Sequence, residues 1–406
     1  MRKNMTATTT KIAFLGGTRY RQPLDATNLK KFRALKPLGE LFVIGFSQDL
    51  RARQFIEEAH FYLLPKMPIS LLRYAEMFVI GLPLVLWLML RHGIEVLVAQ
   101  SPYEGFPAAC AKKISGWFGR KIVLVVESHG DFEESVFMQR RIFCPGLYRF
   151  LMRHSARFAL KSADALRAIS NSTRQQLEPW VSGKPIVQIP TWTDIDIFLQ
   201  TAADQDGNCR QDIVYAGVLI PRKGVHHLVS AFARVANHFP FARLVIVGQE
   251  ENRSYAAALR EQIKTLELNE RVRFMGAMPQ AEFAARLCRA CVFVLPSVSE
   301  GLGRVVLEAM ATGTPIIGSD VGGIPDMVKD GATGFLVSPG DENTLAEKLR
   351  WVLEHPVESQ AMGWRARVFA ERFFSTEAYI DGYQRIFAAA QTLLTERDEQ
   401  HAPSTL

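Results

Sequence analysis

The chain has 406 residues, of which 48% are hydrophobic and 22% charged, with Gly and Pro spread along its length. That is enough for two domains with complete cores, and it excludes a disordered, collagen-like or repeat protein. The formal charge of +7 is uneven: residues 1–195 carry 27 Lys and Arg against 15 Asp and Glu, a net +12, and the remainder carries 21 against 26, a net −5. A basic first half suits an anionic neighbour (a phospholipid surface, an anionic saccharide or nucleic acid), or it is simply a solvated basic surface.

The apolar stretch after the N-terminal M-R-K-N-M-T-A-T-T-T is too short for a signal peptide. Strands are predicted over residues 11–15, 41–45, 96–99, 122–127 and 165–170, with helical stretches between them. The first of these ends at Gly16-Gly17, where a ligand phosphate could approach the turn, but G-G-T-R-Y is not the G-x-G-x-x-G of a dinucleotide site. The longest apolar run, Met77 to Leu90, has fourteen residues with Pro83 inside, short of the ~20 that span a bilayer. It reads either as a buried helix or, flanked by Arg73 and Arg91 and containing Trp87, as an interfacial one. Downstream, residues 111–121 interleave Lys112, Lys113, Arg120 and Lys121 with Trp117 and Phe118.

The series pauses at I-P-T-W-T-D-I-D-I-F, residues 189–198, and the polar 202–208, then resumes with predicted strands at 212–216, 243–247, 272–275, 292–295 and 315–318. Alternation of strand and helix argues for parallel α/β sheets. The chain therefore reads as a first domain over 1–195, a second over 196–375, and a helix and tail over 376–406. Two such Rossmann-like halves would bind ligand at the carboxyl ends of their strands.

The stretch S-V-S-E-G-L-G-R-V-V-L-E-A-M-A, residues 297–311, follows a predicted strand and opens a good helix former. A glycine turn before a helix aims free backbone N–H groups and the positive end of the helix dipole at an anion. Glu300 on the loop and Glu308 about a turn into the helix can then flank the anion and accept hydrogen bonds from sugar hydroxyls. The pattern suits a nucleotide sugar, although each Glu alone could equally be a solvated charge. The first strand of the second half leads into G-V-L-I-P-R-K-G, where Arg222 and Lys223 can neutralise a diphosphate. His226 and His227 read as first-turn helix residues, and Cys288-x-x-Cys291 lacks the second pair that a zinc site needs, so a packed structural role is expected for these cysteines. The cysteine usage fits a reducing compartment.

As a set, these motifs resemble glycosyltransferase family 4, retaining enzymes with the GT-B fold. The family's E-x7-E lies within E-G-F-G-x-x-x-L-E-A-M-A, matched here at 300–311 with Leu302 in place of Phe. Its G-x-L-x-x-x-K-G matches Gly217 to Gly224, its G-G-x-P-E matches Gly322 to Asp326 with Asp for Glu, and its G-x-x-G-x-L-V-x-P-x-D matches Gly331 to Asp341. The V-G-x-G strand end is incomplete at Val247-Gly248-Gln249-Glu250. Over the first half the likeness rests on His129 in E-S-H-G-D, on residues 169–177, and on Pro190 and Asp194.

The resemblance implies two Rossmann-like domains facing across a cleft, with a C-terminal helix crossing back to the first. It implies transfer of a sugar, with retention, from a nucleoside diphosphate sugar to a saccharide or lipid-linked acceptor in cell-surface glycan or glycolipid synthesis. Glu300 and His129 would meet the donor sugar, and Lys223 and Arg222 the diphosphate. Gly16, Gly17, Gly301, Leu302, Gly303 and Arg304 would line the donor, and Glu308 would hold the ribose. Val218 stands where many members have Arg, a duty Arg222 would take over.

No cofactor and no metal is expected, because the D-x-D at Asp194-Ile195-Asp196 lies in the linker rather than at a phosphate turn. The expected location is cytoplasmic, peripheral on the inner membrane face if the basic half binds anionic lipid. Three other functions stay open to test: a nucleotide-sugar epimerase on the same fold, a non-catalytic basic scaffold, and a nucleic-acid binder, which would lack the usual motifs.

Overall fold

A computed structural model describes residues 9–65, 67, 75–130, 145–201 and 211–401. Two compact units divide the chain: residues 1–192 with 379–406, and residues 193–378. Arg73 and the polar stretch 202–208 lie outside the described residues.

Among the described residues, the first unit has an eight-stranded sheet in the order β3-β4-β2-β1-β5-β6-β7-β8. The strands are β1 (Lys11–Tyr20), β2 (Glu40–Ser47), β3 (Arg53–Glu57), β4 (Ala59–Leu64), β5 (Val96–Ala99), β6 (Val123–Ser128), β7 (Ala165–Ala168) and β8 (Ile186–Gln188). Only the β3–β4 pair is antiparallel. The inner strands are continuous apolar runs, as a parallel sheet covered on both faces requires: Val123 to Val126 and Leu97 to Ala99 are buried. One face packs on the helices Leu82–His92, Gly105–Trp117 and Pro145–Ser162. The other is sealed by the helix Ala26–Leu35 and by the C-terminal helix Thr376–His401 through Tyr379, Tyr383, Ile386 and Phe387.

Among the described residues, the second unit has six parallel strands in the order β11-β10-β9-β12-β13-β14. They are β9 (Asp212–Ala216), β10 (Arg243–Val247), β11 (Val272–Gly276), β12 (Ala290–Leu295), β13 (Ile316–Ser319) and β14 (Phe335–Val337). Chain order reverses between β9 and β12, which lie side by side with Val214 opposite Phe293. Loops leaving the carboxyl ends of two such strands diverge and open a crevice, the usual ligand position in this architecture.

Two sequence expectations need correction. The first strand does not end at Gly16-Gly17 but runs on to Tyr20, with the β1–β2 register shifting between Leu15 and Arg19. Thr18 Oγ1, bonded to Gln100 Oε1 at 3.0 Å, ties this extension to the end of β5. The run Met77–Leu90 is neither wholly buried nor a single α-helix. A π-helical turn, Met77–Gly81, precedes the helix Leu82–His92, whose first turn accommodates Pro83. Its inner side buries Met77, Val85, Leu88 and Met89, whereas Phe78, Val79, Ile80, Trp87 and Leu90 are exposed.

That apolar face continues. Phe78 stacks on Phe106 with centroids 5.4 Å apart, Phe106 meets Phe158 at 5.2 Å, and Lys113 lies 4.6 Å over the Phe158 ring. Arg120 Nη1 donates to the Met89 carbonyl at 2.7 Å, joining the helix end at Trp117 (82% exposed) and Phe118 (77% exposed) to the helix Leu82–His92. Among the described residues, no helix is long and apolar enough to cross a membrane.

Candidate active site

The residues expected at the phosphate site of the second unit meet at the β9/β12 crevice. Two helices start there: Val225–Ala236 beyond β9 and Arg304–Ala311 beyond β12. Each begins at a glycine in the left-handed region, Gly224 (φ +65°) and Gly303 (φ +78°), with no side-chain cap. Elsewhere in the unit the helices Arg253–Thr265 and Glu342–Glu354 are capped by Asn252 and Asp341. At the helix Val225–Ala236 the His226 N–H already donates to the Tyr255 hydroxyl at 3.2 Å, so the start of Arg304–Ala311 is the end better placed to offer N–H groups to a ligand, and both helix dipoles favour an anion.

Close backbone packing sets this geometry. A Cβ on Gly224 would lie 2.0 Å from the Pro296 carbonyl oxygen, so only glycine brings the β9 turn onto the end of β12. Likewise a Cβ on Gly322 (φ +58°) would lie 1.9 Å from the Glu300 carbonyl oxygen. The Gly322-Gly323 pair thus forms the floor beneath the Glu300–Leu302 loop, a second-layer role not foreseen from sequence.

The charged groups are already engaged with each other. Lys223 Nζ is ion-paired with Glu300 Oε1, the two side chains being 14% and 8% exposed. Ser297 Oγ donates to the same oxygen at 2.9 Å. Arg222 Nη1 donates to the Ser299 carbonyl at 2.8 Å, and the Val298 N–H donates to the Arg222 carbonyl at 2.8 Å. Arg222 therefore braces the loop that presents Glu300, besides bringing a charge to the crevice. The buried Tyr215 hydroxyl donates to the Val218 carbonyl at 3.2 Å. Burial, and then the Glu300 carboxylate, push its proton affinity far up, so it stays a neutral donor.

Glu308 lies on the helix Arg304–Ala311. Burial pushes its carboxyl up to about 7, opposed in part by Arg304. A carboxyl held at this balance point is unusual on a helix and marks a candidate ligand-binding group. Leu302 is buried and Arg304 exposed.

Other expected residues fall elsewhere. Gly16 and Gly17 lie in the first unit, where an added Cβ on Gly16 would lie 1.8 Å from Gln100 Oε1 and one on Gly17 3.0 Å from Glu104 Oε1. His129 follows β6, and its Nε2 is 2.8 Å from Glu127 Oε2. His226 shares a contact with the Tyr255 hydroxyl at 2.8 Å, and His227 one with Glu342 at 2.9 Å. Cys288 and Cys291 thiols donate to the Thr201 and Asp212 carbonyls, consistent with packed roles. Asp196 opens the short helix Asp196–Gln200, its N–H donating to Asp194 Oδ1 at 3.3 Å.

Comparison with known proteins decides the family. The family model for glycosyltransferase family 4 matches residues 34–197, and that for glycosyl transferases group 1 matches residues 205–369. The chain belongs to glycosyltransferase family 4. It is 27% identical over 307 residues to N-acetyl-alpha-D-glucosaminyl L-malate synthase of Bacillus anthracis, covering 73% of this chain and 75% of that protein. It is 29% identical over 242 residues to a GDP-mannose-dependent monoacylated alpha-(1-6)-phosphatidylinositol monomannoside mannosyltransferase of Corynebacterium glutamicum, covering 55% of this chain and 62% of that one. Among solved structures, Anabaena HepE in complex with UDP aligns with a TM-score of 0.72 at 20% identity, over 94% of this chain and 100% of that one. The family 4 chain is thus a glycosyltransferase with the two Rossmann-like domains of the GT-B fold.

Proposed function

We propose that this family 4 chain transfers a hexosyl group, with retention, from a nucleoside diphosphate sugar to a saccharide or lipid-linked acceptor. The observation that carries the reading is the convergence at one crevice of two helix N-termini opened by left-handed glycines, the Arg222-Lys223 turn and two carboxylates. The N–H groups and cations suit the diphosphate. Glu308 suits the ribose hydroxyls, and Glu300 suits those of the donor sugar. The names of two similar proteins, a GDP-mannose-dependent enzyme and a structure holding UDP, are in keeping with such a donor.

The chemistry follows from where charge develops. As the glycosidic bond to phosphate breaks, negative charge collects on the departing diphosphate and the sugar becomes oxocarbenium-like. Lys223, Arg222 and the helix N-termini stand ready for that charge. In the free protein Glu300 holds Lys223. A bound donor offers Lys223 a phosphate and Glu300 a sugar hydroxyl, so both partners exchange together without leaving a buried charge alone. The acceptor attacks from the face the diphosphate leaves, and the leaving phosphate takes its proton. The cations at the turn supply the counter-charge for which many enzymes use a divalent ion, so turnover is expected without one.

The apolar face of the first unit supports a peripheral location at a membrane. Exposed Trp117, Phe118, Trp87 and Leu90 lie among Arg91, Lys113, Arg120 and Lys121. Apolar anchors with cations close by in sequence fit an anionic phospholipid surface, where each cation is worth ~1 kcal/mol. The protein would then work on the cytoplasmic membrane face, on an acceptor carried by lipid.

The test is a thermal-shift panel of UDP-, GDP- and ADP-sugars, followed by donor hydrolysis without acceptor. A stabilising donor that is hydrolysed slowly is expected. Lys223→Ala should lower its turnover by ~3 kcal/mol of transition-state stabilisation, by analogy with losing one oxyanion donor. Interconversion of donor sugars would make the chain an epimerase, and no binding at all would make it a scaffold.

A further inference from the structure

The first unit contains a buried polar cluster that the donor chemistry above leaves unused. At its centre Glu127, Arg167 and Tyr383 are each 1% exposed. Glu127 is the fifth residue of β6, and His129 follows two positions later. Strand alternation puts both side chains on one side, which is why Nε2 of the ring reaches Oε2 of the carboxylate at 2.8 Å. Arg167 is the direct register partner of Glu127 on β7.

The hydrogen bonds divide the carboxylate into two halves. Oε1 accepts from Arg167 Nη1 at 2.9 Å and from the Tyr383 hydroxyl at 2.5 Å. Tyr383 also accepts from Arg167 Nη1 at 2.8 Å and from the Tyr379 hydroxyl at 3.4 Å. Arg167 spends its other donors on carbonyls: Nε on Ile189 at 2.9 Å and Nη2 on Pro190 at 2.7 Å. The guanidinium is therefore turned away from a two-pronged grip on Glu127, and Oε2 is kept for His129. Burial alone would favour the neutral acid, but the Arg167 charge and the bonds from His129 and Tyr383 hold Glu127 well below the usual carboxylate range. An ionised carboxylate can only accept, so the proton of the contact sits on the ring.

We propose that Glu127 is the positioning residue of His129: it fixes the imidazole as the Nε2–H tautomer and makes Nδ1 the acceptor for a substrate hydroxyl. This rests on the glycosyltransferase reading, in which His129 is a site residue. Tyr383 makes the C-terminal helix part of the arrangement, since it orients the carboxylate from the side opposite the ring. The arrangement follows the pattern in which a carboxylate sets which ring nitrogen carries the proton and which one works.

The test has two arms. In the first, histidine ring nitrogens of uniformly 15N-labelled wild-type protein are followed at pH 8, with His129→Asn identifying the resonance. Nε2–H is expected, and an Nδ1–H form or a rapidly averaged ring would overturn the proposal. This arm needs neither donor nor activity, so it decides even if nucleotide-sugar turnover is never found, a result that would sink the glycosyltransferase reading alone. In the second, Glu127→Gln keeps the shape but puts an amide against the donors. The expected loss in kcat/KM for the nucleotide sugar is about 10–100-fold, with the tautomer preference lost and affinity for the bare nucleoside diphosphate, which has no sugar, unchanged. Wild-type kcat/KM, or an equal loss of nucleoside diphosphate affinity, would overturn the positioning role. If Glu127→Gln does not fold, the wild-type resonance decides.

Discussion

Replacing Glu308 by Gln should stabilise the fold at alkaline pH while weakening the site. Burial raises this carboxyl from its ordinary 4.5 to about 7 in the folded chain. Below pH 4.5 both folded and unfolded chains hold the proton, and Glu308 brings no penalty. Between 4.5 and 7 the unfolded chain gives up the proton and the folded one keeps it, so stability falls as pH rises through that window. Above 7 the penalty is complete. A difference of about 2.5 pH units at 1.36 kcal/mol each amounts to about 3 kcal/mol. Gln cannot ionise in either state, so the advantage of Glu308→Gln should be near zero at pH 4 and approach about 3 kcal/mol at pH 8. Urea unfolding followed by tryptophan fluorescence reads this directly, with Trp351 and Trp364 reporting on the second unit. A pH-independent difference, or a less stable variant at pH 8, would refute the burial argument. Donor affinity should move the other way. Ribose hydroxyls donate to the carboxylate, so the Gln variant should bind nucleoside diphosphates more weakly even where it folds more tightly. Such opposition between stability and binding is what a functional group held in an unfavourable environment produces.

The remaining predictions probe separate features. Gly322→Ala should destabilise by roughly 2–5 kcal/mol, combining a left-handed backbone with a clash on the Glu300 carbonyl. Gly331→Ala, at φ +70° with nothing within 4 Å of its Cβ, should lose only the backbone part; equal losses would mean the floor under Glu300 is not tight. Donor turnover should survive EDTA, and a loss restored by Mg²⁺ or Mn²⁺ would show that the Arg222-Lys223 turn is not sufficient. The chain should co-sediment with anionic vesicles at low salt and be released at high salt, whereas pelleting of Trp117→Ser/Phe118→Ser as well as the wild type would remove that face from the contact.

Much of this fold was legible as apolar runs. All ten strands predicted from sequence are present, because a sheet buried on both faces leaves unbroken hydrophobic segments. Of the four missed among the described residues, β4 carries that mark in its buried F-Y-L-L, whereas the other three are too polar or too short for it. β3 and β4 form a hairpin about Glu58 (φ +55°) with polar R-Q-F-I-E in its outer strand, and β8 and β14 are three residues long. At the site, residue types were legible but not their pairing. Lys223 and Glu300, 77 residues apart, face each other because chain order reverses between β9 and β12. The Glu127 cluster did have a signal. Arg167 stands within A-L-R-A, an otherwise buried apolar strand, and a charge so placed needs an acidic partner. E-S-H at the end of β6 supplied that partner and its histidine on one side of a strand.

The division of the chain into units also has a consequence in time. Residues 193–378 are inserted in the first unit, which the C-terminal helix alone completes. Arg167 emerges from the ribosome 216 residues before Tyr383, and Glu127 256 residues before it. At roughly 5–20 residues per second, that is about 10–50 s in which the second unit is made while the first lacks its closing helix. For that interval the sheet face beneath Phe387 and Ile386 is open to water, and the charged pair is wet. The nascent chain must therefore keep an unfinished first domain from aggregating until its last segment arrives, and truncation ahead of Tyr379 would leave it permanently in that state.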